Sequence, residues 1–171
     1  MVDDMFQTER VRVRHLIEND LDALYAVYGD AEAMRWVDDG EPIVWEDCVT
    51  WLDVTLQNYD VRGYGMSALV LKSSGQVIGF CGVVHPGGQL EPEIKYALLR
   101  DYWGQGLATE VVRGMLAYVA THFALDRVIA TIAPDNGASR RVLMKSGMLP
   151  LKTEQDEAGD WVETLVWMAE S

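Results

Sequence analysis

The stretch "DYWGQGLATE", residues 101–110, places Gly104 and Gly106 between an apolar run and a segment with helical periodicity. Glycine has no Cβ, so a backbone that carries it at a strand-to-helix junction can approach a ligand closely. The N–H groups of a helix's first turn lack partners within the helix and attract anions, phosphate above all. The stretch therefore predicts a phosphate-binding turn. The flanking segments decide which class of phosphate-binding fold it belongs to.

The segments on both sides of this turn have clear periodicities. They predict a strand over 93–99, a helix over 107–122 and a second buried strand over 127–132. The apolar stripe of the helix consists of Leu107, Val111, Val112, Met115, Leu116, Val119 and Phe123. Strand, turn, helix and strand in this order indicate one parallel βαβ unit.

The rest of the chain predicts further elements of one domain spanning residues 1–171. Valine and arginine alternate over 8–14, as in a half-buried strand. "YGMSALVLK" and "QVIGFCGVV", joined by Ser73-Ser74-Gly75, predict a β-hairpin. The remaining elements are a helix over about 21–28 capped by Asn19 or Asp20, a helix over about 45–58, a short helix from Asp135 or Asn136 to Gly147, and strands over about 149–154 and 161–168. The predicted fold class is α/β, of the mixed α+β kind.

Composition narrows the function classes. The chain has 171 residues and a formal net charge of −13, which disfavours nucleic acid as a partner and favours a cationic one. No apolar run is long enough for a membrane span, and two early aspartates argue against a signal peptide, so we expect a cytoplasmic protein. The three histidines, His15, His85 and His122, lack metal-ligand spacing, so no metal is expected.

Two common nucleotide-binding turns do not fit the sequence. A P-loop requires Lys and Ser or Thr after its last glycine, whereas Gly106 is followed by Leu107 and Ala108. A dinucleotide fingerprint requires a third small residue where Thr109 stands, and it requires several βαβ units. Both folds are therefore disfavoured.

The chain resembles the GNAT superfamily of acyl-CoA N-acyltransferases, in particular the branch of ribosomal-protein N-terminal acetyltransferases. The stretches that carry the resemblance are, in order, "TERVRVRHLIENDLDAL", "DAEAMRWV", "GQVIGFCGVV", "PEIKYALLRDYWGQGLATEVV" and "NGASRRVLMKSGM". The resemblance implies a mostly antiparallel sheet of about six to seven strands, with helices on both faces and one splayed parallel pair. It also implies acetyl-CoA as acyl donor and, since members often dimerise, a homodimer as one expected state.

The resemblance places the acetyl-CoA pyrophosphate on the backbone of the turn. It assigns the pantetheine or ribose side of the cofactor to Asn136. Arg100 and Arg141 are candidates to offset phosphate charge, although a surface salt bridge is an equal alternative for each. The expected cofactor-binding residues are Leu98, Leu99, Arg100, Gly104, Gln105, Gly106, Leu107, Ala108, Thr109, Asn136, Ser139 and Arg141.

Three residues are the candidate catalytic groups. A backbone N–H at Leu98, with Leu99 as the alternative, is the expected donor to the thioester oxygen. Glu93 matches a glutamate that often serves as base in the family, with Glu91 in reserve, but Lys95 on the same strand face would make it a weaker base. A structural ion pair and an anchor for the substrate amine are the alternative roles of Glu93. Ser139 is the expected partner of the departing thiol, although serine is also common near helix N-termini and a purely local role is an equal alternative.

Leu143 stands where many members have a general-acid tyrosine, so a tyrosine-acid mechanism has no support in the sequence. The substrate is expected to be a primary amine, on a protein N-terminus, a polyamine or an aminoglycoside. Fold analogy assigns its contacts to Trp36, Asp38, Asp39 and Trp45, together with the final hairpin. The alternative from another class is a non-catalytic acyl-CoA-binding regulator, which Lys95 and the missing tyrosine keep open.

Overall fold

The strands of the computed structural model, which describes residues 3–36 and 40–170, form one sheet. They are β1 (Asp4–Gln7), β2 (Val11–His15), β3 (Met66–Leu71), β4 (Val77–Val84), β5 (Glu93–Leu98), β6 (Arg127–Ile132), β7 (Leu149–Gln155) and β8 (Trp161–Met168). Their spatial order is β1-β2-β3-β4-β5-β6-β8-β7, and every neighbouring pair is antiparallel except β5 and β6. The predicted fold class, with its single parallel pair, is confirmed.

The sheet has eight strands rather than the expected six to seven. The segment 8–14 was predicted as one strand, but residues 4–7 form β1 and pair with β2 through a turn in which the Thr8 N–H donates to the Val11 carbonyl at 2.8 Å. Polar and apolar residues are mixed over 4–7, so the short edge strand gave no alternating pattern.

Helices cover both faces of the sheet. They are α1 (Leu21–Tyr28), α2 (Ala31–Met34), α3 (Trp45–Arg62), α4 (Leu107–Phe123) and α5 (Gly137–Lys145). Neighbouring residues of one strand belong to different apolar clusters, since Leu69 packs with α4 whereas Ala68 packs with α1, α2 and α3. The alternation follows from the period of two in a strand. No helix within the described ranges is both long and apolar enough to cross a bilayer.

The predicted cap of the first helix is wrong in its chemistry. Asp20 is the N-cap residue of α1, as predicted, but its carboxylate makes no hydrogen bond to the first turn of that helix. It is buried and accepts two bonds from the Arg14 guanidinium, at 2.8 and 3.0 Å, and one from the Ile17 N–H at 2.9 Å. A bidentate guanidinium pair is stronger than a neutral N–H contact, so the carboxylate turns toward Arg14.

Candidate active site

The parallel strands β5 and β6 separate immediately after they meet. Their register contains one pair, Glu93 with Ile129, so the later residues of β5 leave β6. On the other side of β5, the Leu99 N–H donates to the Ile78 carbonyl of β4 at 2.8 Å. Antiparallel pairs alternate between bonded and non-bonded, so the N–H groups of Leu98 and Tyr96 point away from β4, toward the gap. Of the two expected donors, Leu98 therefore faces the gap, whereas the Leu99 N–H is used by the sheet.

The gap opens into a cleft of about 1570 Å³. It is bounded by β5 and β6, the start of α4, α5, the residues around α2 and the tip of the β7–β8 hairpin. Most of the predicted site residues line it: Trp36, Glu93, Leu98, Gly104, Gly106, Leu107, Ala108, Thr109, Asn136, Ser139 and Arg141. Four others, Leu99, Arg100, Gln105 and Trp45, are not among its lining residues. Asp38 and Asp39 lie outside the described residues.

The glycine turn forms one end of this cleft. Gly104 and Gly106 have φ of +73° and +79°, a left-handed conformation that side chains rarely adopt. Gly106 is the N-cap of α4 and brings no capping side chain, so the N–H groups of the first turn stay available. A 17-residue helix adds the positive end of its dipole at the same point. The turn thus has the geometry of an anion-binding site.

Arg10, which no sequence motif singled out, holds this turn in place. Its Nε donates to Glu110 Oε1 of α4 at 2.8 Å, and its Nη1 donates to the Gln105 carbonyl at 3.0 Å. The same carboxylate accepts bonds from the Thr8 hydroxyl and the Arg10 N–H. Burial raises the pKa of Glu110, but these hydrogen bonds outweigh it and leave the pKa below its usual range. The β1–β2 turn therefore holds the start of α4 and the glycine turn together.

Glu93 is a buried carboxylate at the inner end of the cleft. Its side chain accepts bonds from Thr131 Oγ1 at 2.8 Å and from Gln89 Nε2 at 3.2 Å, and Lys95 Nζ lies 4.0 Å away. The expectation that Lys95 shares its strand face is confirmed. Glu91, the reserve base, pairs with Arg127 at 2.9 Å and does not line the cleft.

Ser139 lies on the first turn of α5 and faces β5. Its N–H donates to Asn136 Oδ1 at 3.2 Å, which confirms Asn136 as the helix cap. Its hydroxyl lies 2.7 Å from the hydroxyl of Tyr96, which also lines the cleft. Burial raises the pKa of Tyr96 to about 12, although the Ser139 hydrogen bond opposes the rise. Tyr96 was not predicted as a site residue, because no motif distinguishes it from other tyrosines in strands.

The two arginines considered for phosphate binding have different surroundings. Arg100 is exposed and pairs with Asp30, whose pKa its hydrogen bond holds below the usual range. Arg100 therefore forms a surface salt bridge, the second of the two alternatives considered for it. Arg141 lines the cleft, while its neighbour Arg140 pairs with the buried carboxylate of Glu163 at 3.0 Å.

The outer end of the cleft carries aromatic and acidic groups. Trp36 and Trp161 line it with 41% and 58% of their surfaces exposed, and Asp160 lies beside Trp161. Trp45 instead packs edge-on against Tyr25, with ring centroids 5.7 Å apart. Among the described residues, no group of three His, Cys, Asp or Glu side chains could hold a metal ion.

Comparisons with known proteins agree with this geometry. A family model described as "Acetyltransferase (GNAT) domain" matches residues 10–149. The uncharacterised protein YkkB of Bacillus subtilis is 31% identical over 85% of this chain and 86% of its own. The uncharacterised N-acetyltransferase YoaA of the same organism is 26% identical over 84% and 81% of the two chains. A structure of RimL, the ribosomal L7/L12 α-N-protein acetyltransferase, in complex with coenzyme A has a TM-score of 0.82 at 16% identity, covering 97% and 98%.

Proposed function

Because this chain belongs to the GNAT acetyltransferase family, we propose that it transfers the acetyl group of acetyl-CoA to a cationic primary amine by direct attack. The observation that carries the proposal is the continuity of the cleft. One open channel joins the anion-binding glycine turn to the Leu98 N–H on the edge of β5 that β6 leaves, and then to the carboxylate of Glu93. A diphosphate, a thioester and an amine need these features in this order.

The proposed binding mode uses the backbone more than the side chains. The first-turn N–H groups at Leu107, Ala108 and Thr109 would bind the pyrophosphate, because glycine on their N-terminal side lets it approach. The free edge of β5 would pair with the amide groups of the pantetheine arm, as an added strand does. Arg141 would add positive charge near the cofactor phosphates, in a protein whose net charge is −13.

The proposed chemistry follows from the same positions. The Leu98 N–H would donate to the thioester oxygen, on which negative charge develops during attack. Glu93 would accept the proton of the amine, directly or through water, while Thr131 and Gln89 keep its carboxylate in place. Ser139 would donate a hydrogen bond to the departing thiolate.

The outer end of the cleft supports a cationic acceptor. The face of Trp161 attracts cations and the Asp160 carboxylate adds opposite charge, whereas Arg35 already lies over the Trp36 ring, 4.9 Å from its centroid. Trp161→Ala is expected to raise the KM for the amine and to leave acetyl-CoA binding unchanged. Trp45→Ala, outside the cleft, is the matched comparison, and an equal rise in KM there would contradict this assignment.

Thiol release from acetyl-CoA, measured across a panel of amines, tests the proposed function. The panel contains a polyamine, an aminoglycoside, a peptide with a free N-terminus and an uncharged primary amine. We expect turnover with at least one cationic amine and poorer turnover with the uncharged one. Acetyl-CoA binding without turnover on any amine would instead support the non-catalytic regulator, for which the comparisons give no support. A cytoplasmic location and a homodimer stay predictions.

A further inference from the structure

Tyr96 and Ser139, 43 residues apart in sequence, bring two hydroxyl groups together inside the cleft. Their oxygens lie 2.7 Å apart, one on the central strand β5 and one on the first turn of α5. Serine in a helix often satisfies its hydroxyl on a carbonyl of the preceding turn. Ser146 does this, donating to the Val142 carbonyl at 2.7 Å. Within the residues the structure describes, the hydrogen-bond partner of the Ser139 hydroxyl is Tyr96.

The pair holds two hydroxyl hydrogens, and the bond between the oxygens uses one of them. A phenol is more acidic than an alcohol, so Tyr96 is the favoured donor and the Ser139 oxygen the acceptor. The Ser139 hydrogen is then free to point to another acceptor. Because both residues line the cleft, a group bound there is the candidate acceptor.

We propose that Tyr96 is a positioning residue that directs the Ser139 hydroxyl toward the sulfur of the acyl donor. This inference rests on the proposed function. As the amine nitrogen bonds to the acetyl carbon, the carbon–sulfur bond breaks and its electron pair stays on sulfur. The Ser139 O–H donates a hydrogen bond to that sulfur, while the proton lost by the nitrogen passes by way of the base to solvent. Tyr96 keeps its own proton throughout.

Two observations support this role. Burial of Tyr96 raises its pKa to about 12, so the phenol stays protonated, and able to donate, at neutral and moderately alkaline pH. Leu143, one turn after Ser139 on α5, also lines the cleft but has no group that can donate. Strand β5 thus supplies a phenol to the cleft, whereas α5 has a leucine at position 143.

A double-mutant cycle tests the proposal on the full-length protein. The variants are Tyr96→Phe, Ser139→Ala and the two combined, assayed for kcat and KM with the best amine and for acetyl-CoA affinity by calorimetry. Tyr118→Phe is the matched control, because it removes a phenolic hydroxyl from α4, away from the cleft. Thermal unfolding checks that each variant folds.

We expect Tyr96→Phe to lower kcat about five- to ten-fold, the worth of one hydrogen bond, with acetyl-CoA affinity unchanged. Ser139→Ala should lower kcat at least as far, and the double variant should match Ser139→Ala alone, since Tyr96 acts through that hydroxyl. Full kcat in Tyr96→Phe, or losses that multiply in the double variant, would overturn the inference and leave the proposed function standing. Absence of turnover by the wild-type protein on every amine would overturn both.

Discussion

Arg10 offers the sharpest test of how the glycine turn is built. Arg10→Ala removes the ion pair to Glu110 at 2.8 Å and the hydrogen bond to the Gln105 carbonyl at 3.0 Å. The Glu110 carboxylate keeps the Thr8 hydroxyl and the backbone N–H of residue 10 as partners, so the start of α4 stays linked to the β1–β2 turn. The glycine turn, however, loses the hydrogen bond from Arg10 to the Gln105 carbonyl, which links it to the β1–β2 hairpin. We therefore expect the damage to fall on phosphate binding rather than on folding.

The magnitude follows from the exposure of the two partners. The side chains of Arg10 and Glu110 are 42% and 16% exposed, so solvent screens the ion pair and reduces its contribution to well under 1 kcal/mol. The charged hydrogen bond to the carbonyl adds about 1 kcal/mol. If acetyl-CoA must re-order the released turn, the cost is about 1.4 kcal/mol, which corresponds to a ten-fold rise in Kd.

Calorimetric titration with acetyl-CoA measures this change directly. Arg12→Ala is the control, because Arg12 is an exposed arginine on β2 and its loss changes the net charge equally. We expect a ten-fold weaker Kd for Arg10→Ala, near-native binding for Arg12→Ala, and an unchanged kcat at saturating acetyl-CoA. Binding by Arg10→Ala within two-fold of wild type would refute the anchoring role. Equal weakening in both variants would show that net charge alone is responsible.

Three further predictions follow from particular contacts. Glu93→Gln should lower kcat about 100-fold with acetyl-CoA affinity unchanged, the usual contribution of a general base, and an unchanged kcat measured by thiol release would assign Glu93 a structural role. Burial holds the pKa of His15 below its usual value of about 6.5. As the pH falls, the unfolded chain therefore binds a proton at His15 before the folded protein does. The free energy of unfolding is therefore highest at neutral pH and falls as the pH drops below about 6.5. Urea titrations at pH 7 and pH 5.5 should show this fall, and His15→Phe should reduce it; an equal fall in the variant would place its origin elsewhere. A Cβ at Gly82 would lie 2.1 Å from the Gly65 carbonyl oxygen, so Gly82→Ala should lower the free energy of unfolding by about 3 kcal/mol, which a native-like urea midpoint would contradict.

Local patterns were enough to predict most of the fold. The four-residue spacing of α4 fixes its buried face, because each apolar side chain must meet the sheet. The glycines of the turn indicated a close approach, and both have the positive φ that justifies glycine. The cap at Asn136 was also visible, since its hydrogen bond joins residues three apart. These features depend on neighbours in sequence, which a single chain displays.

The features that escaped prediction depend on distant partners. Tyr96 meets Ser139 across 43 residues, and Arg10 meets Glu110 across 100. For Arg100, phosphate binding and a surface salt bridge were equal alternatives in the sequence, and the fold decides between them by placing Asp30 beside it. In each case the residue type is common in its own helix, strand or loop and does not reveal a partner. Only the tertiary fold brings the partner side chain within hydrogen-bond distance.

Calorimetric titration of the folded protein with acetyl-CoA, with NADH and ATP as controls, tests the central claim most directly. The cleft geometry predicts saturable binding of acetyl-CoA and none of comparable strength for the two controls. Such binding would make the amine panel the next experiment. No binding of acetyl-CoA, by protein whose folding is verified, would contradict the assignment of the glycine turn as its phosphate site and the proposed reaction with it.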